Sequence, residues 1–266
     1  MKIAIIGAGN LGLSIAEGVL HSNGATSMYL TKRNTTSIQH FEKFGNVTVT
    51  TDNREAVKNS DILIFAVQPL HIAKLLEDVK EVLTENHVVI STITGFSIEN
   101  IEGIIGKDQN IIRSMPNTAI SVGKSMTCIC ANEKGKNRIE LAKAIFNRMG
   151  HSMEIPEEQM QAATVICASG IAFWMRLIRA TTQGAIQLGF DAKEAQELAM
   201  HTCDGAAGLL IASGHHPEEE IDKVTTPMGC TIQGLNEMEH QGLSSSLIRG
   251  IVASFEKISE YKKANQ

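Results

Sequence analysis

Gly7-Ala8-Gly9-Asn10-Leu11-Gly12 sets three glycines at the spacing that a bound dinucleotide pyrophosphate requires. Gly7 permits a tight turn, Gly9 lets backbone approach the anion, and Gly12 lets a helix pack closely on a strand. The apolar run 2–6 precedes the motif and a helix-like segment follows it, so free N–H groups at that helix start would face the phosphates. Gly7, Gly9, Asn10, Leu11 and Gly12 are thus candidate cofactor-binding residues, the alternative being a glycine-rich turn with no ligand. The next strand-like run, 28–31, leads into Thr31-Lys32-Arg33-Asn34. An NAD site places an acidic residue there for the ribose hydroxyl, whereas Lys32 and Arg33 suit a 2′-phosphate. The expected cofactor is NADP(H), with NAD(H) second; solvated turn cations are the other reading of the same pair.

Two further segments are candidates for chemistry: Arg113-Ser114-Met115-Pro116-Asn117-Thr118, and Thr226-Pro227-Met228-Gly229-Cys230-Thr231-Ile232. In the second, a glycine-containing loop opens a helix, so the backbone N–H groups of Gly229, Cys230 and Thr231 can hold an anionic group. Thr231 adds a hydroxyl, or serves as the helix N-cap. Ala66-Val67-Gln68-Pro69 ends another strand-like run on the cofactor side, with Pro69 suited to the first helical position. Asn53 and Asn117 each fit a turn or cap when taken alone.

Positioning these residues requires an α/β chain. Short apolar runs at 2–6, 28–31, 47–49, 61–66, 87–91 and 110–113 alternate with helix-like segments, which implies a parallel sheet covered on both faces. After Pro156 the pattern becomes helical, at 157–188, 191–213, 231–240 and 244–264. Asp191 and Glu194 form a capping box, Gly189 and Gly214 act as stops, and His216-Pro217 opens a short acidic helix. The expectation is a Rossmann-type doubly wound domain over 1–157, followed by an all-α substrate and dimerisation domain over 158–266. Ile166, Ile171, Phe173, Trp174, Leu177 and Ile178 surround most of one helix. A domain of about 110 residues cannot enclose such a helix, so a second subunit is expected to cover it.

Composition narrows the partners. A net charge of −5 gives no reason to bind nucleic acid, and no stretch reaches the ~20 apolar residues that a membrane span needs. The N-terminal apolar run is too short for a signal peptide, so a cytoplasmic protein with a small-molecule ligand is expected. The five cysteines lack zinc-site spacing, and no metal is expected; Cys128 and Cys130 would share one buried face of a strand.

The Met115-to-Thr118 turn, Ser169-Gly170-Ile171-Ala172-Phe173, and the Thr226–Ile232 loop, with Gly205-Ala206-Ala207 and Gly234-Leu235, resemble the pyrroline-5-carboxylate reductase family over essentially the whole chain. Where the family carries Ser-Gly-Pro-Ala-Tyr this chain has Ile171 and Phe173, and in the loop it has Thr226 for Ser and Met228 for Gly. The resemblance implies NADPH-dependent reduction of a cyclic imino acid by a homodimer or higher homo-oligomer. It also implies that Thr231 lies near the imine nitrogen and that Asn53 and Asn117 lie near the cofactor. A protonated imine is already electrophilic, so proximity to a hydride donor supplies much of the rate and no dedicated acid is needed. Three alternatives stand beside this reading. One is a β-hydroxyacid dehydrogenase, disfavoured because residues 157–188 contain no lysine. Another is a reductase of a related cyclic imine. The third is a noncatalytic NADP-binding regulator, suggested by Gln68, Ala168, Ile171 and Met228.

Overall fold

In a computed structural model, which describes residues 1–264, eight strands form one sheet among the described residues. They are β1 (Lys2–Ile6), β2 (Ser27–Thr31), β3 (Val47–Thr50), β4 (Ile62–Phe65), β5 (Val88–Ser91), β6 (Asn110–Met115), β7 (Ser125–Ala131) and β8 (Gly150–Glu154). Their order is β3-β2-β1-β4-β5-β6-β7-β8. The chain thus winds one way from β1 to β3 and the other from β4 onward, which opens a crevice at the carboxyl ends of β1 and β4.

Both faces of β1 are buried, which explains why it reads as a continuous apolar run. Ile3 and Ile5 join one core with Ile15, Val19 and Phe146, while Ala4 and Ile6 join the other with Val57, Leu76 and Ile101. Helices on each side therefore seal the sheet, as the β-α alternation predicts.

The structure adds two strands to the six expected, and one departs from the all-parallel sheet. β6 and β7 are antiparallel, with Met115 opposite Cys128. Residues 116–124 are too few for a crossover helix, so the chain can only turn back. The longer excursion through Ile139–Phe146 then returns β8 parallel to β7. β8 is a polar edge strand whose one buried residue is Ser152, so it lacks the apolar signature used to find the others. Cys128 and Cys130 do lie buried on one face of β7.

The chain divides into two compact units, Met1–Ser169 with Ser254–Gln266, and Gly170–Ala253. Residues 158–169, expected to begin the helical domain, cluster instead with the sheet. Met160 and Ala163 join its core, and Glu157 Oε1 accepts from Arg113 Nη1 at 2.8 Å and from the Ile98 amide at 2.7 Å. The helix expected over 157–188 is not uniform either: Met160–Ala163 is α-helical, Thr164–Ser169 is a π turn, and Gly170–Gln187 is α-helical again. By length and composition Glu157–Gln187 is apolar enough to cross a membrane, contrary to the sequence expectation, because its apolar residues are interrupted by polar ones and form no continuous run.

The second unit consists of helices. Gly170–Gln187 and Ala192–Ser213 are joined by a tight turn in which Gly189 takes a φ of +103°, with Asp191 and Glu194 forming the expected capping box. Pro217–Lys223, Cys230–His240 and Leu243–Ala264 follow, the residues of the last from Ser254 onward being counted with the first unit. Trp174 is 59% exposed and Ile211 84%, so much apolar surface of this unit is uncovered within one chain.

The Arg113–Glu157 pair allows a direct test. The arginine side chain is 9% exposed and the glutamate 33%, so removing the glutamate strands the more deeply buried charge. Glu157→Ala should cost about 2–4 kcal/mol in urea unfolding, and Arg113→Met should cost less because Glu157 keeps solvent and the Ile98 amide.

Candidate active site

The first half of the site is a turn built by strand alignment. Parallel pairing sets Ile6 opposite both Thr31 and Phe65, so β1, β2 and β4 release their chains along one line. The amides of Gly7 and Ala8 donate to the Thr31 carbonyl at 3.2 and 2.8 Å, and the Gly7 amide also lies 3.3 Å from the Thr31 hydroxyl. Thr31 is buried, and this anchoring role is one that sequence reasoning missed although it quoted the residue.

Each glycine of the motif has its own constraint. Gly7 takes a φ of +102°, and a β-carbon there would overlap Val67 and the Ala66 carbonyl. One at Gly12 would overlap the Gly7 carbonyl. A β-carbon at Gly9 would meet nothing and would project into open space. Gly7 and Gly12 are therefore required by the fold, whereas nothing in the chain around Gly9 demands a glycine there. Gly9 is also the N-cap of helix Asn10–His21 and gives it no side-chain cap. The amides of Asn10, Leu11 and Gly12 thus open the helix with the partial positive charge that an anion requires. Shape and charge both fit a dinucleotide pyrophosphate.

Around this turn, the residues at the ends of the neighbouring strands fall in sequence along the same edge. Lys32 and Arg33 follow β2 directly, with Lys32 Nζ donating to Ser37 Oγ at 2.9 Å and Arg33 exposed. Asn53 is the first residue of helix Asn53–Lys58, behind the Asp52 cap and past the end of β3. Its neighbour Arg54 is engaged with Glu81 at 2.8 Å and with the Asp78 carbonyl. Ala66 and Val67 press against Gly7, and Gln68 caps the helix whose first residue is Pro69, as expected.

Asn117 has a structural duty at both ends of its amide. Its Oδ1 accepts from the Ala119 amide at 2.9 Å, and its Nδ2 donates to the Cys167 carbonyl at 2.8 Å. It therefore ties the end of β6 to the π turn Thr164–Ser169, an element with no sequence signal that reasoning from periodicity could use. Arg113 was quoted within its motif, but its pairing with Glu157 was not foreseen.

In the second unit, Gly229 is the N-cap of Cys230–His240 and supplies no side-chain cap. Thr231 is the second helical residue, which corrects the alternative that its duty is to cap that helix. A β-carbon on Gly229 would overlap Thr226, and the Gly229 amide closes a turn onto the Thr226 carbonyl at 2.9 Å. Cys230 is exposed and Thr231 half-buried, so this helix start is accessible. His216 caps Pro217–Lys223 through its Nδ1, which bears out its reading as a turn residue.

A doubly wound sheet with an uncapped glycine-rich helix start, followed by a helical unit, defines a dinucleotide-dependent oxidoreductase fold. Comparison with known proteins is consistent with this. Residues 157–261 match a family model described as pyrroline-5-carboxylate reductase dimerisation, and residues 2–95 one described as NADP oxidoreductase coenzyme F420-dependent. The chain is 42% identical over 99% of its length to pyrroline-5-carboxylate reductase 2 of Dictyostelium discoideum, covering 94% of that protein. It is 46% identical over 96% of its length to pyrroline-5-carboxylate reductase 1 of the same organism, but spans only 49% of that relative. A solved pyrroline-5-carboxylate reductase from Coxiella burnetii superposes with a TM-score of 0.88 at 30% identity, over 97% of both chains. The chain belongs to the pyrroline-5-carboxylate reductase family.

Met228 is a local oddity of this site. It sits in the turn before Gly229 with a φ of +60°, a region that costs a side chain about 1–2 kcal/mol. Its side chain is fully exposed and gains no packing in this chain. Met228→Gly removes the strain but adds about 0.5–1 kcal/mol of backbone entropy cost. It should therefore stabilise the protein by up to about 1 kcal/mol, while the β-branched Met228→Val should destabilise it, in thermal melts at one protein concentration.

Proposed function

We propose that this chain reduces the C=N bond of 1-pyrroline-5-carboxylate to L-proline with NADPH as hydride donor. The observation that carries this reading is the whole-length similarity to a pyrroline-5-carboxylate reductase, joined to an uncapped, glycine-headed helix start in each unit. The first would hold the cofactor pyrophosphate through the amides of Asn10, Leu11 and Gly12. Lys32 and Arg33 would take the 2′-phosphate, with Asn53, Ala66, Val67, Gln68 and Pro69 lining the same strand ends. Asn117 supports that edge through its tie to Cys167.

The second helix start would hold the substrate carboxylate on the amides of Gly229, Cys230 and Thr231. The Thr231 hydroxyl would then orient the ring nitrogen, which must carry a proton when hydride reaches the neighbouring carbon. Reduced NADP supplies that hydride when bound. Family membership supports a homo-oligomer, and we propose a homodimer joined through the helical unit, whose apolar residues would then be covered. A cytoplasmic location goes with this reading.

Steady-state oxidation of NADPH on adding pyrroline-5-carboxylate tests the assignment. Turnover only with a six-membered cyclic imine would point to the related reductase, and none with either would point to a noncatalytic NADP-binding protein. Thr231→Ala should lower turnover by about 10- to 100-fold, the scale of one hydrogen bond worth about 1.4–2.7 kcal/mol in the transition state. Thr231→Ser should retain most activity and NADPH binding should hardly change; full turnover in Thr231→Ala would remove the hydroxyl from the mechanism.

Cofactor preference is separately testable. Arg33→Ala should raise the Michaelis constant for NADPH by about 10-fold or more, as expected for losing a charge-assisted phosphate contact worth about 1.5–3 kcal/mol. The constant for NADH should stay close to that of the parent. An equal rise for both cofactors would overturn the phosphate assignment.

A further inference from the structure

Cys128 and Cys167 are far apart in sequence, yet their sulfurs lie 3.7 Å apart. Cys128 belongs to the rigid, buried strand β7, and Cys167 lies in the π turn Thr164–Ser169, where it is only partly buried. Sulfurs at that separation are in contact, and a disulfide would bring them to about 2.0 Å. One partner is fixed while the other sits in an irregular turn, the kind of element that can yield.

We propose that Cys128 and Cys167 are a redox pair that closes into a disulfide when the protein meets hydrogen peroxide. The Cys167 thiolate attacks peroxide, the O–O bond breaks, and a sulfenic acid and hydroxide are produced. Cys128 sulfur then displaces hydroxide from the Cys167 sulfur as the S–S bond forms, and its proton leaves with that hydroxide as water. Two thiols lose two electrons in all, and peroxide becomes two waters.

The pair is suited to this order of events. The hydrogen bond from Cys128 lowers the Cys167 thiol to about 7, whereas that same bond, with burial, pushes the Cys128 thiol up. Cys167 is also the partner with solvent access, so it is the first to be oxidised, and Cys128 is the resolving thiol. The bond would fasten the π turn to β7. That same turn receives the Asn117 amide at the Cys167 carbonyl, so the clamp acts on a residue beside the strand ends described above.

The test is peptide mapping of the native protein after treatment with stoichiometric peroxide and alkylation of the remaining thiols. The expected product is one cross-linked peptide pair joining Cys128 to Cys167, lost on treatment with dithiothreitol. Cys203→Ala and Cys230→Ala should leave its yield unchanged, and Cys167→Ala should abolish it and leave Cys128 alkylated. Recovery of Cys167 as sulfinic acid, as free thiol, or linked to another cysteine in the parent protein would overturn the proposal, and this readout needs no variant to fold.

Discussion

Parallel strands release their chains along one line, and this chain's ligand chemistry depends on how that line is drawn. Ile6, Thr31 and Phe65 stand abreast because β1, β2 and β4 pair in one register. A slip of one residue would turn every side chain of a strand to the opposite face and expose a set of isoleucines, so the two apolar cores enforce the alignment. The Gly7 and Ala8 amides can then reach the Thr31 carbonyl, and the glycine turn is held from the strand beside it rather than by its own few residues. Cofactor recognition in this protein is thus paid for by burial of aliphatic side chains well away from the site.

How legible each part was follows from how local its causes are. The six strands with apolar runs, the glycine turn, the Pro69 helix start and the Asp191 capping box all depend on residues within a few positions of one another. β8 was not legible because its one buried residue is a serine, so it has no apolar run to display. The reversal at β7 follows from the length of a connection, which could be counted only once the strand beyond it was known. The π turn, the Arg113–Glu157 pair and the tie from Asn117 to Cys167 join residues far apart in sequence, and nothing local marks them.

The candidate site divides along the same line. The spacing gives Gly7, Gly9 and Gly12 separate duties, and the close backbone around Gly7 and Gly12 accounts for two of them, while Gly9 faces an opening. Asn117 was read as a residue near the cofactor on resemblance and as a cap on its own merits, and its hydrogen bonds are those of a cap and a tie. Thr231 moved the other way, since Gly229 takes the cap position and leaves the threonine hydroxyl outside that duty.

The helical unit has a further consequence. Among its described residues few are buried: Gly170, Thr182, Ala195 and Ala199 lie inside, while Trp174, Leu209 and Ile211 face outward. A single copy thus leaves in water much of the apolar surface whose burial would offset the entropy of ordering its long helices. Completing this half of the molecule is therefore a second-order event, in which association supplies the missing interior. Chain synthesis rate and cellular abundance then become structural variables, because a dilute protein is held closer to its unfolded state by mass action alone.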